Sequence, residues 1–130
     1  MLNLFSVELK NQPGELAHLG DVCAQRGVNL QLAGVVSGER GTILFSASDE
    51  AAVRTALEGA GLEFTERSAL QVKCADQAGE AAKFGRKLAD AGVNIEGLLE
   101  VSICQGEVIF AIAVDKPEDA RAALSDQIVG

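Results

Sequence analysis

Apolar and polar positions alternate through Leu2–Leu9, at Leu2, Leu4, Val7 and Leu9 with a break at Phe5-Ser6, and predict a half-buried strand. A helix opens behind it at Asn11-Gln12-Pro13-Gly14-Glu15, where Pro13 suits a first helical turn because its missing N–H would be unpaired there in any case. Leu16, Leu19 and Cys23 fall at i, i+3 and i+7 and form the apolar stripe of this helix, with Gly20 and Val22 at its margins and Gly27 as its stop. A second strand over Val28–Val36 turns through Ser37–Gly41 into a third, Thr42–Ala47. Asp49 caps a second helix over Glu50–Leu57, which ends at Gly59-Ala60-Gly61, and Leu62–Glu66 forms a fourth strand. The order is βαββαβ.

The same order then returns. Shifting the chain by 65 residues lays Val7–Ala47 on Val72–Ile112 without a gap, with about 14 identities over roughly 40 positions. Gln12-Pro13-Gly14-Glu15 meets Gln77-Ala78-Gly79-Glu80, Gly27-Val28-Asn29 meets Gly92-Val93-Asn94, Gly41 meets Gly106 and Phe45 meets Phe110. The second copy predicts a strand at Leu70–Ala75, a helix at Glu80–Ala91, strands at Asn94–Cys104 and Glu107–Val114, and a short helix capped by Asp115 with Pro117 in its first turn. Only Gln127–Gly130 remains for its fourth strand, so the edge of Leu70–Ala75 calls for another cover: strand sharing with Leu62–Arg67, or a homodimer. The expectation is an α+β protein of two ferredoxin-like units, residues 1–67 and 68–130, each an antiparallel sheet with its helices on one face. Units this small bury little core alone, so the two are expected to pack together.

Bulk properties narrow the function. The net charge is −8, there is no Trp or Tyr, and the basic residues are scattered. Nucleic-acid binding needs clustered cations or exposed aromatics, so neither duplex nor single-stranded partners are expected. No stretch is apolar enough to span a bilayer, and Met1–Val7 reads as a strand rather than a leader, so a cytoplasmic protein is expected. Cys23, Cys74 and Cys104 show no metal-binding or CxxC spacing and read as reduced core residues.

The fold hosts many activities, so function rests on the loops. An RNA-binding version would put aromatics on the central strands, and Thr42–Ala47 offers only Phe45. A metal-binding version would carry CxxC in the first loop, and a phosphate-cleaving one an Arg there; neither is present in Asn11–Glu15 or Asp76–Glu80. No nucleophile lies beside a base, and no metal cluster or cofactor motif is found. His18, the only His, is matched by Lys83 and reads as a solvated helix residue.

The remaining signals are Asn11-Gln12-Pro13-Gly14-Glu15-Leu16 with Gly27-Val28-Asn29-Leu30, and Asp76-Gln77-Ala78-Gly79-Glu80 with Gly92-Val93-Asn94-Ile95. On these the chain resembles the ACT domain family, as two copies spanning nearly its whole length. The resemblance implies a non-catalytic regulatory protein that binds an amino acid or similar metabolite between ACT units and controls a partner enzyme or transporter. It implies that each site takes its loop from one unit and its Asn from the other. The first site is then Asn11, Gly14, Glu15 and Leu16 with Asn94, and the second Asp76, Gly79, Glu80 and Ala81 with Asn29.

Residue chemistry suits that guest. Uncapped N–H groups at a helix start favour a carboxylate, glycines permit close approach, and an Asn carboxamide can both donate and accept. Asn11 or Asp76 would take the ammonium. The same glycines and asparagines also serve turns, and Glu15 and Glu80 suit a first helical turn by charge alone. Apolar walls are expected from Leu32, Ala33, Leu98 and Leu99. Ala78 in place of Pro loosens the second loop, and a weaker second site follows. The alternative is an interaction subunit that binds no ligand.

Overall fold

A computed structural model describes residues 2–129; Met1 and Gly130, which the readings of the first and last strands included, lie outside the described residues. The elements are β1 (Leu2–Lys10), α1 (Glu15–Ala24), β2 (Leu30–Ser37), β3 (Arg40–Ala47), α2 (Glu50–Gly59), β4 (Phe64–Ala75), α3 (Glu80–Asp90), β5 (Ile95–Cys104), β6 (Glu107–Val114), α4 (Pro117–Ala123) and β7 (Ile128–Val129). The protein is α+β, with antiparallel ladders and four helices. It divides into two compact units, Asn3–Arg67 and 68–129 with Leu2. The boundary falls inside β4, so the fourth strand of one unit and the first of the other are a single run of 12 residues with no intervening loop. No helix of the described residues is long and apolar enough to cross a membrane.

In the first unit the strand order is β2-β3-β1-β4. Phe5, Val7 and Leu9 on β1 project to one face, where they meet Phe45, the α1 residues Leu19 and Cys23, and the α2 residues Val53 and Leu57. Phe5 stacks on Phe45 with ring centroids 5.5 Å apart. Outside this core Arg54 braces α2 to β4 through a bidentate bond to Glu66, whose carboxylate also accepts from the Asn3 side chain at 2.7 Å. The Arg54 hydrogen bond is the main cause that holds the Glu66 carboxyl below its ordinary range.

The second unit repeats the order as β5-β6-β4-β7 around Leu70, Val72, Phe84, Leu88, Ile112 and Leu124. Short as it is, β7 covers the exposed edge, pairing Ile128 with Val72 and Val129 with Gln71.

The two units are not, however, in step along their whole length. Phe5 faces Phe45, but its counterpart Leu70 faces Ile112, and Phe110 instead faces Val72. The second hairpin therefore runs two residues ahead of the ungapped alignment. The surplus sits in β5, which has 10 residues to the 8 of β2 and breaks register between Ile95 and Gly97 and between Glu100 and Ser102. Two bulges absorb it. The matches of Gly41 with Gly106 and Phe45 with Phe110 are thus coincidences of sequence: Ile43 stands where Phe110 does, and Gly34 where Glu100 does.

Four local expectations are corrected. Pro13 precedes the helix, because Gly14 is the N-cap. Leu16 is off the apolar stripe and half exposed, because the inward row runs through Glu15, Leu19 and Cys23 at i, i+4 and i+8, one residue round from it. Cys104 is exposed, carried to the tip of the hairpin by the bulges, whereas Cys23 and Cys74 are buried. Asp115 does not cap α4; Lys116 takes that position, and the Asp115 carboxylate accepts the Asn94 backbone N–H at 2.8 Å.

Candidate functional site

The two opening loops have one geometry. Gly14 has φ 90 and Gly79 φ 89, and each is the N-cap of its helix without a side-chain cap. A Cβ at either position would touch nothing within 4 Å, so the left-handed backbone, not crowding, demands glycine. Neither start has a side-chain cap, in contrast to α2, where Asp49 caps Ala52 N at 3.0 Å; at α3 the first helical N–H, that of Glu80, donates to Gln77 O at 3.4 Å. Ala78 in place of Pro13 does not alter the loop's form. Each loop is pinned to its hairpin, Asn11 N donating to Glu39 O at 2.9 Å and Asp76 N to Gly106 O at 2.8 Å.

Their side chains differ. The Asn11 carboxamide donates to Gly38 O at 3.3 Å and is engaged by the hairpin. Asp76 is exposed. Glu15 accepts from Gln12 at 3.4 Å; Glu80 accepts from Gln77 and from Lys83, both at 3.2 Å. The Gln77 bond, then the Lys83 bond, holds the Glu80 carboxyl below its ordinary range. Leu16 and Ala81 are exposed on the first turns.

Asn29 and Asn94 lie elsewhere. Each follows the left-handed Gly27 or Gly92. Each is tied by its backbone: Asn29 O accepts from Ser48 N at 3.3 Å, and Asn94 O from Asp115 N at 3.2 Å. Both side chains are exposed, and neither carboxamide has a hydrogen-bond partner among the described residues. Within a unit they are far from the loop. Asn29 precedes β2 and the loop is bonded to the hairpin at its other end, so the 8 residues of β2 separate them by about 25 Å. The structure therefore brings Asn11, Gly14, Glu15 and Leu16 together, and Asp76, Gly79, Glu80 and Ala81 together, but in neither unit adds that unit's own Asn.

A groove of about 240 Å³ adjoins the first loop. Its apolar lining comes from Leu9, Leu16, Val36 and Ile43 with Gly34 between, and Lys10, Gln12 and Glu15 add polar groups. Leu32 and Ala33, expected as walls, take no part in it, and Leu99 is buried. Sequence reading missed Lys10 and Gly34. The signal for Lys10 was its replacement by Ala75 in the second copy; Gly34 was hidden, because the ungapped alignment set it against Leu99 instead of Glu100. Where the first unit has Leu9, Gly34 and Lys10, the second has Cys74, Glu100 and Ala75. Burial, and then the nearby charges of Glu80, Asp76 and Glu100, push the Cys74 thiol up. Among the described residues no cluster of His, Cys, Asp or Glu could hold a metal ion.

No known family profile matches the sequence, and no curated protein matches it. Solved structures do. Protein BT0572 from Bacteroides thetaiotaomicron superposes with a TM-score of 0.84 at 21% identity, over 99% of this chain and 92% of that one. The ligand-free regulatory subunit of aspartate kinase from Thermus thermophilus gives 0.70 at 22% identity, over 95% of this chain and 87% of that one. The aspartokinase alpha and beta subunit structure gives 0.69 at 19%, over 96% and 90%. At this identity the likeness establishes the fold, and it is the ACT-type fold that the sequence resembles.

Proposed function

We propose that this ACT-fold chain is a non-catalytic regulatory protein that binds a free amino acid at its opening loops and so controls a partner enzyme. The single observation that carries the reading is the repeated, uncapped helix start behind a left-handed glycine, held to the same φ in both units although their sequences differ. Such a start offers backbone donors and a positive field to a carboxylate. The exposed carboxamides of Asn29 and Asn94, which can both donate and accept, are the complementary groups. The fold shared with regulatory subunits of aspartate kinase supports a regulatory role over a catalytic one. A partner enzyme that distinguishes the ligand-bound from the free form would respond to occupancy.

The test is thermal melting of the full chain with each common amino acid, followed by calorimetric titration. One amino acid, or a small related group, should raise the melting temperature. Asn94→Ala should weaken the bound ligand by about 1–3 kcal/mol through a lost hydrogen bond. Unchanged melts and no heat for every amino acid would discard the reading. A ligand-free interaction subunit would then stand, favoured by the exposed apolar side chains of the outer strands, Val35 at 69% and Ile103 at 62% exposure.

A further inference from the structure

We infer that the first unit selects an amino acid with an aliphatic side chain, that Gly34 is the residue that makes this possible, and that the second unit does not accept the same guest. The inference rests on the amino-acid-binding reading above and specifies it. The groove beside the first loop is walled by Leu9, Leu16, Val36 and Ile43, and its 240 Å³ suits a small metabolite. Leu16 and Val36 are 51% and 55% exposed, so apolar surface waits there uncovered. Burying it against an aliphatic side chain yields the usual gain for apolar area removed from water.

Gly34 decides the space. A Cβ built there would come within 2.7 Å of Ile43 Cδ1, so any larger residue shifts the end of the Ile43 side chain and adds its own atoms to the groove's lining. The rim fits the polar end of the same molecule. Lys10 has no ion-pair partner among the described residues and is placed for a carboxylate, while Glu15 is placed for an ammonium.

The second unit keeps one of these positions apolar, with Ile103 in place of Val36, and changes the others. Glu100 stands in place of Gly34, Ser102 in place of Val35, Ala81 in place of Leu16 and Ala75 in place of Lys10. Phe110, packed on Phe84 with ring centroids 5.3 Å apart, stands in place of Ile43. A glutamate side chain thus stands where the slot needs a bare backbone, and with Asp76 it sets acid groups beside the loop, Glu80 there being paired with Lys83 at 3.2 Å.

The experiment is calorimetric titration of the full chain and of Gly34→Val with leucine, isoleucine, valine, serine, aspartate and lysine. Aliphatic amino acids should bind to the unmodified chain at one per chain. Gly34→Val should weaken leucine about tenfold or more while the protein still melts cooperatively. Should Gly34→Val fail to fold, Leu16→Asp, at an exposed position, should give the same selective loss. Binding of serine, aspartate or lysine in preference to the aliphatic set would overturn this inference and leave the amino-acid reading standing. So would two aliphatic sites per chain, or leucine affinity untouched by both variants. No binding of any amino acid would overturn both.

Discussion

Among single residues, Gly14 and Gly79 provide the sharpest test of what the loops require. Both sit near φ 90 with open space where a Cβ would go, so a substitution meets strain and no clash. Gly14→Ala and Gly79→Ala should each cost about 1–2 kcal/mol in urea denaturation. Near-equal costs are expected despite Pro13 in one loop and Ala78 in the other; a cost at one position only would show that the loops are not equivalent. These glycines were legible in the sequence because both copies keep them. Leu16 was not: its spacing at i, i+3 and i+7 placed it on the apolar stripe, but the inward row begins at the charged Glu15, which an apolar pattern does not mark. Cys104 was misplaced for a related reason, since an apolar neighbourhood such as Val101 and Ile103 belongs equally to a core strand and to an exposed edge.

At the scale of elements, helix starts divide into two kinds. Asp49 caps α2 through Ala52 N, so Asp49→Ala should lower stability by about 1 kcal/mol in the same assay. No such side-chain cap exists at α1 or α3. Hydrophobic period and stop signals sufficed to place every helix and most strands. What they could not show was the doubling within β5, because a bulge adds residues without interrupting the apolar run that identifies a strand. Nor did they show that Leu62–Glu66 and Leu70–Ala75 would join as β4; the intervening Arg67-Ser68-Ala69 carries no turn residue of Gly or Pro type and simply stays extended.

For the whole molecule, 19 acidic residues against 11 basic ones make the response to acid informative. Glu66 and Glu80 are held below the ordinary carboxylate range, by the Arg54 and the Gln77 hydrogen bonds respectively. Their stabilising contribution is therefore complete above that range and fades as pH falls through it towards their own lowered values. Melting temperatures measured from neutral to acid pH should show Glu66→Gln less stable than the natural chain near neutrality, with the gap closing at the acid end. An offset that stays constant with pH would mean that Glu66 acts by shape alone. The two bulges of β5 have an evolutionary consequence. An outermost strand has a neighbour on one side only, so it can take up slack without tearing the ladder behind it. Once a doubled gene stores its surplus there, one half is at liberty to try a different chemistry at its rim while its interior, and its sister's tastes, go on unchanged.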